Sequence, residues 1–167
     1  MSSNTGLRDL APNTICYNAV ISAHARSSSV SKAYRTELLL ERMIEESMKN
    51  GNTRVQPDTI TFNSVINAAA QSSVGDAILR KEAYLIALNA FKTLHGLDYC
   101  KPSSVTYSSF LKMLQNLVDD NEARDYMARK VYLLSVKAGL DNEAVRLQLK
   151  RTCSTNNVAQ EIVKLTK

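Results

Sequence analysis

Asn18, Asn63 and Ser108 stand at equivalent points of a repeated motif, where each directly follows a tyrosine or phenylalanine. An Asn amide both donates and accepts hydrogen bonds, and a Ser hydroxyl does the same. In a helix, the neighbour of a buried aromatic residue is rotated by about 100° from it, which predicts that these side chains line an exposed groove. A polar column continues one helical turn later at Ser22, Asn67 and Lys112. This chemistry suits recognition through hydrogen bonds.

Residues that could carry catalysis or bind a metal do not occur in a suitable pattern. His24 lies on a predicted apolar stripe and His95 in a predicted turn, and neither has an acidic partner at a useful spacing. Cys16, Cys100 and Cys153 form no Cys-x-x-Cys pair. The sequence also has no Gly-rich phosphate loop and no nucleophile elbow. We therefore expect a protein that is not an enzyme and that binds no metal and no cofactor.

The motif that contains these polar residues occurs three times, and each copy begins with proline. The copies are PNTICYNAVI at 12–21, PDTITFNSVI at 57–66 and PSSVTYSSFL at 102–111, so the prolines recur every 45 residues. Recurrence at such a period indicates stacked structural repeats, and a period of 45 taken alone would also fit HEAT or armadillo repeats.

Each copy of the motif predicts the start of a helix, because a small polar or acidic residue after the proline can cap free N–H groups. Apolar residues then follow at i, i+3, i+4 and i+7, the spacing of one buried helix face. These stripes are Tyr17, Val20, Ile21 and His24; Phe62, Val65, Ile66 and Ala69; and Tyr107, Phe110, Leu111 and Leu114. A second helix is predicted in each unit, over 32–49, 76–94 and 122–138, and each ends near a glycine.

The predicted fold is therefore all-α, with about seven or eight helices arranged as antiparallel pairs. We assign residues 1–11 to a flexible leader, 12–56, 57–101 and 102–141 to three repeats, and 142–167 to a degenerate fourth pair or cap. Amphipathic patterns over 142–153 and 158–165 predict two helices in this last segment. A repeat stack commonly ends in such an atypical unit.

The composition narrows the functional classes only slightly. The chain has 21 basic and 16 acidic residues and a net charge of +5, a mild excess that is compatible with nucleic acid and with many other partners. No apolar run approaches the roughly 18 residues of a membrane span, so we expect no membrane insertion. The N-terminus resembles neither a signal peptide nor an Arg-rich transit peptide, and we expect the chain to be a piece of a longer protein or one that is not imported.

The motifs at 12–21 and 57–66 resemble the junction and first helix of pentatricopeptide repeats, and the resemblance extends over residues 12 to about 141. It implies a right-handed α-solenoid that binds single-stranded RNA at about one base per repeat. It also implies a mitochondrion or plastid as the location, with a role in organellar RNA processing, stability or translation. A cytoplasmic location is the alternative, since no transit peptide is visible.

The resemblance assigns base reading to the fifth residue of each repeat and to the last residue before the next one. The implied readers are Asn18 with Asp58, Asn63 with Ser103, and Ser108 with Asn142. By the pairings of that family, the first pair favours uracil, the second resembles weaker pyrimidine readers, and the third suggests adenine. The implied ligand is therefore pyrimidine-containing RNA. An Asn amide can meet a Watson–Crick edge with both a donor and an acceptor.

The same resemblance makes Ile15, Ile60 and Val105 the apolar residues that sandwich the bases, a role that needs flat or branched apolar surface. Packing between repeats is an equally open interpretation of these three residues. For Asn18, Asn63 and Asp58, the alternative is helix capping and polar surface in a first helical turn.

A different function class also remains open at this point. An α-solenoid can bind a peptide or a helix in its groove, as a protein–protein adaptor or as a scaffold for ribonucleoprotein assembly. The mild net charge and the acidic balance of residues 57–100 favour that alternative, whereas the junction motif favours RNA.

Overall fold

The computed structural model describes residues 11–72 and 76–166, and the predicted all-α class is confirmed for these ranges. They contain eight α-helices, which agrees with the expected number. The helices are α1 (Thr14–Arg26), α2 (Lys32–Ile44), α3 (Thr59–Ala70), α4 (Ala77–Gly96), α5 (Ser104–Leu117), α6 (Asn121–Lys137), α7 (Glu143–Thr152) and α8 (Asn156–Lys164). A π-helical turn at Glu45–Lys49 continues α2, and a 3-10 turn at Thr53–Val55 precedes α3. Nearly all of the predicted leader lies outside the described residues.

The proline motif begins helices as the sequence predicts. Asn13 caps α1, where its side chain accepts a hydrogen bond from the Cys16 amide at 3.0 Å. Asp58 caps α3 and accepts from the Thr61 amide at 2.8 Å. Ser103 occupies the same position before α5. Such caps satisfy amide groups that the first helical turn leaves without partners.

A glycine ends α6 because the chain there adopts a left-handed conformation. Gly139 has a φ of 69°, a conformation that is strained for residues with a Cβ atom and accessible to glycine. Its amide donates to the Val136 carbonyl at 2.9 Å, and the Leu140 amide donates to the Ser135 carbonyl at 2.8 Å. This arrangement satisfies the last carbonyls of the helix and turns the chain toward α7.

The core is centred on α3, which packs against α1, α2, α4 and α5. Its stripe residues Phe62, Val65, Ile66 and Ala69 are all fully buried. Ala68 and Ala70 are buried beside them, and small side chains allow neighbouring helices to approach closely. The predicted stripe of α5 is also buried, so the periodicity of both motif helices is confirmed.

The main helix contacts join helices that are one or two positions apart in the sequence. Among the odd-numbered helices, α1 packs against α3, α3 against α5, and α5 against α7. Among the even-numbered helices, α2 packs against α4 and α6 against α8. Between α4 and α6, the Tyr84 hydroxyl lies 3.5 Å from the Met127 sulfur.

The predicted stripe of α1 is only partly correct. Ile21 is fully buried, but Val20 is 47% exposed, and Tyr17 and His24 are half-buried. Ala25 is buried instead. The reason is that, within the described residues, α1 packs against α2, α3 and the short turn at Thr53–Val55, whereas α3 and α5 each pack against four helices.

Arg124 joins three helices near the C-terminal end of the described chain. Its Nη1 donates to the Val118 carbonyl at 2.8 Å, beside the end of α5. Its Nε donates to the Thr152 carbonyl at 2.9 Å, at the end of α7. The neighbouring Asp125 accepts from the Ser154 amide at 2.8 Å. One arginine on α6 thus satisfies carbonyls that two other helices leave without partners.

Candidate functional site

Two of the residue pairs singled out in the sequence are in contact. On α1, Asn18 Nδ2 donates to Asp58 Oδ1 at 3.1 Å. Thr61, in the first turn of α3, completes the group: its hydroxyl lies 2.7 Å from Asn18 Oδ1 and 2.9 Å from Asp58 Oδ1. The Asp58 amide in turn donates to the Thr61 hydroxyl at 3.1 Å. We call this group, Asn18, Asp58 and Thr61, the first junction.

The second junction repeats this arrangement with Asn63, Ser103 and Thr106. Asn63 Nδ2 donates to the Ser103 hydroxyl at 3.3 Å, and the Thr106 hydroxyl donates to Asn63 Oδ1 at 2.7 Å. The Ser103 amide donates to the Thr106 hydroxyl at 2.9 Å. In both junctions the Asn precedes the cap by 40 residues and the Thr by 43. The two sites are therefore built alike although the cap residue differs.

A further hydrogen bond recurs beside each junction. Thr14 donates from its hydroxyl to the Gln56 carbonyl at 2.8 Å, and Thr59 donates likewise to the Lys101 carbonyl at 2.8 Å. Each bond fixes the residue just before a motif proline to the first turn of the preceding motif helix. The linker that leads into α3 or α5 is thus fixed by this bond before the proline and by the helix cap after it.

The third pair, Ser108 and Asn142, does not form such a junction. The Ser108 hydroxyl donates to the Val105 carbonyl of its own helix at 3.1 Å. Asn142 caps α7 and accepts from the Val145 amide at 3.1 Å. Val145 occupies the position that Thr has in the other two junctions, and no hydrogen bond joins Ser108 to Asn142, both of which the structure describes.

The sequence patterns did not identify the threonines of the junctions as site residues. Thr61 and Thr106 are fully buried, and each bridges two elements. The sequence did contain a signal for these residues, because Thr61 and Thr106 each stand three residues after a cap. The equivalent residue is Cys16 after the cap of α1 and Val145 after the cap of α7. A hydroxyl at that position can bond to both the cap and the preceding helix, which a thiol or a methyl group does less well or not at all.

The first junction leaves part of its hydrogen-bonding capacity unused. Asp58 accepts three close contacts at Oδ1, whereas its Oδ2 has no hydrogen bond in the described part of the chain. Asn18 uses one of its two N–H groups. One carboxylate oxygen and one amide N–H therefore remain for a ligand without breaking the junction.

Cys100 is a near neighbour of this carboxylate. Burial and then the charge of Asp58 raise the pKa of the Cys100 thiol above its usual 9.0. The thiol is therefore protonated at neutral pH.

The proposed base-sandwiching residues are exposed, so they are not packed between helices. Ile15 is 77% exposed, Ile60 60% and Val105 54%. They occupy the same position in the first turns of α1, α3 and α5. The packing interpretation is therefore wrong for these three side chains, while their contact with bases stays a prediction.

Asp58 is a helix cap, as the alternative interpretation of that residue held, and Ser103 holds the same position before α5. This finding does not exclude base reading, because the caps are the residues that the Asn side chains contact. Base reading by the six assigned residues stays a prediction.

The His95 side chain lies between α4 and α5, and both of its ring nitrogens have hydrogen-bond partners there. Its Nδ1 lies 2.7 Å from the Phe91 carbonyl and its Nε2 lies 3.2 Å from the Tyr107 hydroxyl. Its ring also packs against the rings of Phe91 and Tyr107. Over residues 11–72 and 76–166, no group of three or more His, Cys, Asp or Glu residues is placed to hold a metal ion.

Comparison with protein-family models, with curated proteins and with solved structures gives no match to this chain. The class that the structure defines is thus an all-α protein of eight packed helices in its described part. None of those eight helices is long and apolar enough to cross a membrane.

Proposed function

We propose that the chain is a single-stranded RNA-binding module of the pentatricopeptide-repeat type, with its helix pairs arranged as a right-handed α-solenoid. RNA would lie along the motif helices α1, α3 and α5. Binding rather than catalysis would be its activity, within RNA processing, stability or translation in a mitochondrion or plastid. The location and the process rest on the resemblance of the motifs alone.

One observation carries the proposal. The residues that the resemblance assigns to the same base, Asn18 with Asp58 and Asn63 with Ser103, are in direct contact in two consecutive junctions. An exposed apolar side chain stands three residues before each of these Asn residues, at Ile15 and Ile60. Proteins bind single strands through apolar side chains that stack on base faces. Sequence-specific binding also needs polar groups that hydrogen-bond base edges.

The proposed affinity is modest. Stacking contributes about 1–3 kcal/mol per base, and much of that is offset by the entropy lost on association. With two junctions formed and a third pair apart, we expect dissociation constants of about micromolar or weaker. The preferred ligand would contain a uracil and a neighbouring pyrimidine.

The test is fluorescence anisotropy of the whole chain with labelled U-rich, C-rich and A-rich single-stranded RNA oligomers, at two salt concentrations. We expect the U-rich oligomer to bind most tightly, and Asn63→Ala to weaken that binding by about fivefold to tenfold. The matched control is Asn157→Ala, which makes the same change at an exposed position of α8. Circular dichroism of each variant separates a loss of binding from a loss of folding.

If a folded wild-type chain binds none of the oligomers at low salt, RNA binding is excluded. Equal weakening by Asn157→Ala would place the RNA outside the junctions. In the first case, the adaptor or assembly-scaffold function would become the leading explanation of the repeats; in the second, RNA binding would stand and base reading at the junctions would be wrong.

A further inference from the structure

A groove of about 530 Å³ lies between α2 and α4, on helices other than those that carry the junctions. Its apolar lining includes Tyr34 of α2 and Leu85 and Ile86 of α4. Tyr34 is 54% exposed and Leu85 45%, so bulky apolar surface is open to solvent here. Leu38, one turn beyond Tyr34 on α2, is also 45% exposed.

Carboxylates accompany this apolar surface. Glu37 and Glu82 line the groove, one on each helix, and Glu41 lies one turn along α2 from Glu37. None of the three forms an ion pair with any residue that the structure describes. In a chain with a net charge of +5, three carboxylates without an ion pair thus lie in or beside this one groove.

The charges of Glu41 and Glu82 act on Glu37. Burial, followed by the charges of Glu41 and Glu82, raises the pKa of Glu37 above its usual 4.5. A cation placed between α2 and α4 would relieve this repulsion. The groove can therefore accept both an apolar side chain and a cation.

We infer that this groove between α2 and α4 binds a segment of a partner protein in which bulky apolar residues are flanked by lysine or arginine. An apolar side chain of the segment would pack between Tyr34 and Leu85, and its cations would meet Glu37 and Glu82. Recognition of amphipathic helices in grooves combines contacts of these two kinds. RNA is a poor occupant because its phosphates would be repelled by the same carboxylates.

A second copy of this chain fits less well than a separate segment. Three basic residues of its C-terminal helices, Arg146, Lys150 and Lys164, themselves line a cavity of about 290 Å³. Two concave surfaces do not fill one another, whereas a convex helix or an extended segment fills a groove. The inference is independent of RNA binding, which uses residues of the odd-numbered helices.

The test is fluorescence anisotropy with a labelled peptide that carries two leucines one helical turn apart, flanked by lysines. Two analogues serve as ligand controls, one with glutamate in place of lysine and one with alanine in place of leucine. We expect the parent peptide to bind the whole chain, and each analogue to bind about tenfold more weakly or not at all. Salt should weaken the parent complex.

Protein variants place the binding site. We expect Glu37→Gln with Glu82→Gln to weaken peptide binding about tenfold, and Leu85→Ala to weaken it as well. Matched controls are Glu122→Gln with Glu161→Gln, and Leu133→Ala, at exposed positions of α6 and α8. Binding of U-rich RNA should be unchanged in the groove variants, which distinguishes a failure of this inference from a failure of RNA binding.

Three results would overturn the inference. These are equal binding of the lysine and glutamate peptides, equal effects of groove and control variants, and salt-sensitive self-association of the wild type that Glu37→Gln with Glu82→Gln abolishes. The last result, measured by analytical ultracentrifugation, would assign the groove to contacts between copies of this chain.

Discussion

Asn18 on α1 donates a hydrogen bond to the same carboxylate oxygen of Asp58 that caps α3, over a distance of 3.1 Å. One oxygen thus satisfies the first turn of a helix and orients an amide from the preceding motif helix. Folding and the proposed recognition of RNA therefore use the same two side chains. Substitutions at the junction therefore change stability as well as any binding, and the two effects require separate measurements.

Asp58→Ala should lower the free energy of unfolding by about 1–2 kcal/mol, because α3 loses its cap and Asn18 loses its acceptor. Asp58→Ser should cost less, since Ser103 fills the same role in the second junction. Urea unfolding followed by circular dichroism measures both. Equal losses for the two variants would show that a Ser hydroxyl does not replace the Asp58 carboxylate at this position.

Arg124→Lys should lower the free energy of unfolding by about 1–3 kcal/mol. Lysine keeps the charge but cannot donate at once to the carbonyls of Val118 and Thr152, which the guanidinium reaches through two different nitrogens. Faster amide hydrogen exchange in α7 is the expected local sign. Arg129→Lys, at an exposed position of the same helix, is the control and should exchange like wild type.

Local features of the fold were predictable from the sequence because their causes are local. Each proline motif places a capping side chain directly before a run with helical spacing, and α1, α3 and α5 begin there. The buried faces of α3 and α5 follow from the same spacing. The exposure of Val20 was not predictable in this way, because it depends on where the neighbouring helices lie around α1.

The candidate site was predictable only in part. The motif supplied Asn18, Asp58, Asn63 and Ser103, but the roles of the threonines depend on the packing of one motif helix against the next. The bond from Thr61 to Asn18 spans 43 residues of sequence. Likewise, nothing near Arg124 in the sequence indicates that the end of α7 would lie beside it.

Alkaline pH should destabilise the fold through Cys153. The thiol is buried, and burial together with the charge of Asp125 raises its pKa from 9.0 to about 11. Because the folded chain keeps the proton to a higher pH than the unfolded chain, stability is unaffected below pH 9 and falls as pH rises from 9 toward 11. The loss should reach about 2–3 kcal/mol.

Urea unfolding under reducing conditions at several alkaline pH values measures this loss. Cys153→Ala should flatten the decline, whereas Cys16→Ala, at an exposed thiol, should leave it as in wild type. A decline of the same steepness in Cys153→Ala would assign the alkaline sensitivity to other groups.

An attempt to build the third junction would test whether the Asn–Thr bond contributes to stability. Val145→Thr alone should cost about 1–2 kcal/mol, because a hydroxyl would be buried where Val145 is fully buried now. Combined with Ser108→Asn, the new hydroxyl gains an amide oxygen as acceptor, as in the junctions at Asn18 and Asn63. The double variant should therefore recover about 1 kcal/mol relative to the sum of the single changes. Ser109→Asn, which introduces the same amide one position away, should give no such recovery in a parallel cycle, and additive effects in both cycles would show that the bond contributes no net stability.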